Sequence, residues 1–263
     1  MIGKRVQSAL VIVPFVFVAA WFGGPFYAIV VAVAAGLGAL EFYGMRGFPK
    51  RHPLTRFGLL CILLFIIFAH FEGPYTASLL ASAVVFSLAW LVLRCPAWSS
   101  LINWAWTVAG ILSLGWMLSR LIPLRALADG REWVLFALFA LFVADTSAFF
   151  VGRAWGRHSL APAISPGKTW EGAIGGFVGA IAASLILAAI LSLPIPYWQV
   201  SILGVLIGIF SQLGDLAESM LKRSAGVKDS GKLIPGHGGI LDRLDSVVFT
   251  VVVVYYYVIS IVV

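Results

Sequence analysis

The chain has 263 residues, 61% of them hydrophobic and only 11% charged, with a mean hydropathy of +1.02. Soluble domains carry roughly 25% charged residues, so this composition belongs to a polytopic membrane protein and leaves no length for a sizeable soluble domain. The net charge of +7 points to anionic headgroups or phosphates rather than nucleic acid, because no basic domain interleaved with aromatics is present.

A membrane-spanning helix needs about 20 apolar residues. The sequence predicts an all-α fold with nine such spans: 6–22, 25–43, 56–71, 75–93, 101–122, 132–152, 172–193, 198–221 and 244–263. The first follows Lys4 and Arg5, as a signal peptide would. It reads instead as a retained helix, because "FGGP" (22–25) turns straight into the next apolar run. Residues 1–130 carry helices one to five. Residues 131–263 carry helices six to nine and the polar motifs, within one continuous membrane domain. Cys61 and Cys95 lie in or beside apolar runs, which speaks against a disulfide framework and a cysteine metal site. "LSLPIPYW" (191–198) reads as an outer turn with Tyr197 and Trp198 at the interface.

Basic residues orient the spans. Fifteen of the 18 Lys and Arg residues fall at the N-terminus or in the loops after helices two, four, six and eight. Arg120, Arg125 and Arg131 alone fall on the other side. Positive charge stays inside, so the N-terminus is expected in the cytoplasm and the C-terminus outside. The polar loops after helices six and eight then face the cytoplasm, where nucleotides are.

Two acids lie inside spans. Asp145, in "LFVADTSAFFVGR", precedes Arg153 by eight residues, and Asp215, in "SQLGDLAESMLKR", precedes Lys222 by seven. Both should sit roughly 10–12 Å below the cytoplasmic ends of their helices. Ionised acids at that depth are costly and usually face a partner or a wet cavity. Two at matched depth suggest one shared cavity, with structural ion pairs between helices as the plainer alternative. Ser211, Asp215, Glu218 and Lys222 also share one helix face.

The stretch "KDSGKLIPGHGGILDRLD" (228–245) is the most polar in the chain. Asp242 and Asp245 are three apart at the predicted start of the ninth helix, on one face and near its positive dipole end. Helix capping would account for Asp242 alone. It does not account for the adjacent "GHGG", whose glycines let backbone N–H groups approach a ligand. Lys222, Arg223, Lys228, Lys232 and Arg243 can neutralise several phosphates. Carboxylates, cations and glycines together are the composition expected where Mg²⁺ and polyphosphate meet. The loop "GRAWGRHSLAPAISPGKTWEG" (152–172) repeats the theme with Arg153, Arg157 and Lys168. Its "GKT" is not a P-loop, since the earlier glycine and the preceding strand are lacking. His52, His70 and His158 show no ligand spacing, whereas His237 lies inside the glycine cluster, where it could bond a phosphate or move a proton. No histidine or cysteine cluster suggests zinc.

Residues 219–245, "SMLKRSAGVKDSGKLIPGHGGILDRLD", resemble the signature of phosphatidate cytidylyltransferases, also called CDP-diacylglycerol synthases: Ser-x-apolar-Lys-Arg, four residues, Lys-Asp, then His-Gly-Gly-apolar-x-Asp-Arg-apolar-Asp. "SPGKTWEG" (165–172) and "ADTSAFFVGRAWG" (144–156) resemble the family's two other polar segments, although Gly167 stands where the family often has lysine. The resemblance covers residues 144–245. It implies transfer of the cytidylyl group of CTP to phosphatidic acid, giving CDP-diacylglycerol and pyrophosphate. It also implies Mg²⁺ dependence, a second monovalent cation such as K⁺, a homodimer, and a place in the bacterial inner membrane with the active site on the cytoplasmic side. Asp215 and Asp242 are the expected metal ligands. The expected catalytic set is Asp215, Asp242, Asp245, Lys222, Arg223, Lys228, Asp229 and His237. Ser165, Lys168, Thr169, Glu171, Arg153, Ser219, Lys232, Gly238, Gly239, Arg243 and Asp145 are expected to bind substrates. A CTP-dependent polyprenol or lipid kinase and a polytopic transporter with a cytoplasm-facing cavity are the alternatives.

Overall fold

The computed structural model describes residues 14–71, 73, 75–94, 98–231, 233 and 238–262. Among them are eight helices long and apolar enough to cross a membrane, and they coincide with the second to ninth predicted spans. Of the first span, residues 6–13 lie outside the described residues and 14–22 are helical. The chain divides into two compact units, taken in turn.

One unit comprises the described residues up to Pro123 together with Asp229–Asp242. It contains α1 (Gly24–Met45), α2 (Pro53–His70), α3 (Thr76–Arg94) and α4 (Trp98–Gly110). The helical path of α4 continues through a π-helical stretch, Ile111–Met117, and a 3₁₀ turn, Leu118–Arg120, into the short α5 (Leu121–Ala126). Helix α2 starts three residues earlier than expected. Pro53 suits a first helical position, where its missing N–H has no intrahelical acceptor to lose, and the His52 ring accepts from the Leu54 N–H at 3.3 Å. Cys61 and Phe65 of α2, Ala83 of α3 and Ile111 share a buried cluster. Polar side chains in these helices mostly find main-chain partners, as a bilayer demands. The Trp106 indole donates to the Phe42 carbonyl at 3.0 Å and stacks on the Phe42 ring. The Tyr43 hydroxyl donates to the Thr107 carbonyl at 3.2 Å. Both bonds tie α1 to α4.

The other unit comprises Leu124–Lys228 and Arg243–Val263. Its helices are α6 (Gly130–Trp155), α7 (Trp170–Ile190), α8 (Tyr197–Ser224) and α9 (Leu241–Tyr257), whose first two residues belong to the other unit. A π-helical stretch, Val258–Val262, extends α9. Between α6 and α7 lies an antiparallel hairpin, β1 (Ser159–Ala161) and β2 (Ser165–Thr169), pairing Ser159 with Thr169 and Ala161 with Ser165. Among the described residues this hairpin is the one sheet.

Small residues set the helix spacing here. In lipid, helices gain nothing from hiding apolar surface from one another, so close packing has to supply the attraction. A Cβ added at Gly176 of α7 would stand 2.9 Å from Ala148 Cβ and 3.1 Å from the Ala144 carbonyl of α6. One at Gly204 of α8 would stand 2.7 Å from Ile181 Cα of α7, and one at Gly214 would stand 2.6 Å from the Asp245 carbonyl of α9. These approaches bring the polar residues of neighbouring helices together.

Candidate functional site

In the unit built from α6 to α9, charge gathers around Asp215. The Lys168 ammonium, carried on β2, pairs with Asp215 Oδ2 at 2.7 Å. The Ser219 hydroxyl, one turn along α8, lies 3.4 Å from Oδ1. Asp145 of α6 lies within electrostatic range of Asp215, Asp245, Lys168 and Arg243. Asp245 of α9 interacts likewise with Asp215, Lys222 and Arg243, and its Oδ1 accepts from the Ser246 N–H at 2.7 Å. Three carboxylates from three helices thus share one field with three cations. A turn further along α8, Lys222 pairs with the buried Glu218 at 3.2 Å, the i, i+4 spacing that places two side chains on one helix face.

The hairpin folds back on the end of α8. Besides the Lys168–Asp215 pair, the Arg223 guanidinium donates to the Ile164 carbonyl at 3.3 Å. Thr169 caps α7, its hydroxyl accepting from the Gly172 N–H at 3.1 Å. Glu171, in the first turn of α7, accepts from the backbone N–H groups of Arg157 and His158 and sits 2.6 Å from His158 Nδ1. Ser165 opens β2. Arg153 is exposed in the last turn of α6, and Lys228 is exposed beyond α8. Glu171 and Thr169 therefore shape the hairpin, Lys168 points its charge at Asp215, and Arg153 and Lys228 remain at the surface.

In the other unit, Asp242 organises its own loop. Its Oδ2 accepts from the Gly239 N–H at 2.8 Å, the Ser230 hydroxyl at 2.9 Å and the Ser230 N–H at 3.3 Å. Gly238 has φ +84°, a left-handed backbone that glycine adopts without strain. Asp229 is exposed beside the buried Ser230. Lys232 and His237 lie outside the described residues. Two participants here escaped the sequence reading. Ser230 carries no motif signal. Glu41 of α1, 7% exposed, accepts from the Leu241 N–H at 2.9 Å and lies 3.4 Å from the Ser230 hydroxyl. The available signal was a lone acid inside an apolar 22-residue helix.

Mg²⁺ takes oxygen ligands and usually only one or two protein carboxylates. Among the described residues no group of three or more His, Cys, Asp or Glu side chains is arranged to hold a metal ion. The donor chemistry still fits a cation completed by water and phosphate. Asp215 is 39% exposed and holds a displaceable lysine on one oxygen and a long hydroxyl contact on the other.

A bundle of apolar helices, with acids and lysines paired inside it and a polar hairpin folded over one helix end, defines an integral membrane protein with a polar, phosphate-compatible site. The chain belongs to the cytidylyltransferase family, whose profile matches residues 3–261. Among curated proteins it is similar to a phosphatidate cytidylyltransferase of Brucella abortus (strain 9-941), 42% identical over 165 residues that cover 62% of this chain and 60% of that protein. It is 36% identical over 270 residues to phosphatidate cytidylyltransferase 5, chloroplastic, of Arabidopsis thaliana, covering 90% of this chain and 66% of the relative. A phosphatidate cytidylyltransferase of Staphylococcus saprophyticus is 44% identical over 122 residues, 46% of this chain and 47% of the relative. The matches thus span less than two thirds of the length of these relatives.

Proposed function

We propose that this protein transfers the cytidylyl group of CTP to phosphatidic acid, releasing pyrophosphate and leaving CDP-diacylglycerol in the membrane. The observation that carries the reading is the family match over residues 3–261, which takes in the whole 219–245 signature. A phosphatidate oxygen forms a bond to the α-phosphorus of CTP, and the bond from that phosphorus to the oxygen bridging the α- and β-phosphates breaks, that oxygen leaving with pyrophosphate. No protein nucleophile is needed. The protein contributes alignment and charge stabilisation.

The ion pairs suit this task. Lys168–Asp215 and Lys222–Glu218 neutralise charges that would be costly to leave alone in a half-buried place. On substrate binding the lysines turn to phosphate oxygens, and Asp215 becomes available to a cation. Arg223, Lys228, Lys232 and Arg243 add positive charge along the path of the triphosphate. Arg153, Ser165 and Thr169 belong to the headgroup or cytidine end. By the motif resemblance alone, Asp215 and Asp242 are the residues proposed to hold Mg²⁺, with Asp145 and Asp245 as supporting carboxylates and K⁺ as a second cation. Bound there, Mg²⁺ supplies charge neutralisation of the phosphates. The acyl chains stay in lipid. The N-terminus lies in the cytoplasm, the C-terminus outside, the membrane is the bacterial inner membrane, and the protein works as a homodimer.

The test is pyrophosphate release by purified protein in lipid nanodiscs. Release that requires CTP, phosphatidate and Mg²⁺ together supports the reading. CDP release with phosphorylation of an added polyprenol would indicate a kinase, and no turnover with phosphatidate or polyprenol would favour a transporter.

A further inference from the structure

The first residue of α9 is held by a residue 200 positions away. Glu41 Oε2 accepts from the Leu241 N–H at 2.9 Å, and Leu241 is the first residue of α9. The opening amides of a helix have no acceptor within it, and a negative charge beside them is favoured by the helix dipole. Glu41 therefore caps α9 from α1. The same oxygen lies 3.4 Å from the Ser230 hydroxyl, which stands 2.9 Å from Asp242 Oδ2. One hydroxyl proton cannot serve both, and the shorter contact assigns it to Asp242. The Ser230 hydroxyl thus donates to Asp242 and only stands beside Glu41. Gly231 and Gly239 close the arrangement. A Cβ at either would overlap the Glu41 carboxylate, so these glycines are the residues that admit it.

A buried carboxylate costs several kcal/mol unless its hydrogen bonds are made. An apolar residue at position 41 would avoid that cost, yet it would leave the Leu241 amide without its acceptor and Ser230 without its neighbour. We propose that Glu41 is a positioning residue for the cytidylyl-transfer site: it fixes the Leu241 N–H at the start of α9, and so sets where the side chain of the next residue, Asp242, stands. This rests on the function proposed above and adds to it a residue outside the 144–245 motif region.

The experiment uses the full-length protein in nanodiscs with Glu41→Ala and Glu41→Gln. Amide hydrogen exchange is followed in peptides covering 238–245 and, for comparison, in peptides of α6 and α7. Kinetics give kcat, KM for phosphatidate and the Mg²⁺ concentration for half-maximal rate. In Glu41→Ala, exchange at 238–245 should rise at least about tenfold, the loss expected when one amide hydrogen bond of about 1.4 kcal/mol is removed, while α6 and α7 stay unchanged. The kcat should fall by about 10²-fold, as for a misplacement of roughly 1 Å, with a raised Mg²⁺ requirement and an unchanged KM for phosphatidate. Glu41→Gln keeps a carbonyl acceptor and should restore most of the protection and most of the rate. Unchanged exchange at 238–245 in Glu41→Ala would overturn the proposal. So would a rate loss accompanied by equal loosening of α6 and α7, or by a weakened KM with kcat intact. If the wild-type protein makes no liponucleotide, the proposed function fails, and the exchange data alone still decide whether Glu41 holds the loop.

Discussion

Replacing Gly214 by alanine places a methyl group where α8 crosses α9. The added carbon would stand 2.6 Å from the Asp245 carbonyl oxygen, 3.1 Å from the Phe249 ring and 3.2 Å from Ser246 Cα. Two of these neighbours are backbone, so no side-chain rotation relieves the overlap. Ordinary contact begins at 3.4 Å, so the helices must part by about 0.8 Å, and overpacking of this kind costs about 1–3 kcal/mol. Asp215 is the next residue on α8, and Asp245 itself provides the closest contact. A shift approaching 1 Å between them should lower turnover about 10²-fold. The assay is kcat for liponucleotide formation, with thermal unfolding in detergent recorded alongside. Gly36→Ala is the control, since an added Cβ there meets nothing within 4 Å. Gly214→Ala with wild-type kcat would refute the claim that the α8–α9 approach sets the geometry of these carboxylates.

Asp215→Asn and Asp242→Asn should each reduce turnover by at least about 10³-fold, roughly the loss of an electrostatic contribution of 4 kcal/mol, while the protein still inserts and elutes as a folded species. EDTA-sensitive activity near the wild-type level in both would move the metal assignment to Asp145 and Asp245. Lys222→Ala and Lys228→Ala should lower kcat/KM for CTP by about 10-fold or more, as loss of a charge-assisted bond of 1.5–3 kcal/mol requires. Arg51→Ala should change it less than about twofold, and equal losses in all three would mean that general surface charge is responsible. Cysteines placed in the loops after α6 and after α8 should resist a membrane-impermeant maleimide in intact cells and react after lysis. Labelling from outside would contradict a cytoplasmic site.

The spans were legible because hydropathy needs only composition over a window, and eight of them recur as helices. The hairpin was not. Its strands are three and five residues long, and Pro166 and Gly167 in "SPGKT" read as loop residues. Lys168 could be placed near phosphates from its motif, but its pairing with Asp215, 47 positions further along the chain, depends on the hairpin folding back, which no local pattern encodes. Asp242 shows the limit of motif reading. Its bonds to Gly239 and Ser230 organise the loop before α9 rather than cap the helix, whose first N–H is taken by Glu41 instead, and a metal role has to use Asp242 in that setting. Glu41 is hidden in the sequence because its neighbours are so apolar that the 22-residue helix reads as a span whatever its one acid does. Its partner amide lies 200 residues away, a separation at which only the folded chain reveals contact.

The measurement closest to the central claim follows the label of CTP. Purified protein in nanodiscs receives phosphatidate, Mg²⁺ and CTP labelled either at the α- or at the γ-phosphate. The account predicts that α-label enters the lipid phase as a liponucleotide, that γ-label leaves in pyrophosphate, and that neither happens without Mg²⁺. Label entering lipid from the γ-phosphate, or failing to enter lipid from either position, would contradict it.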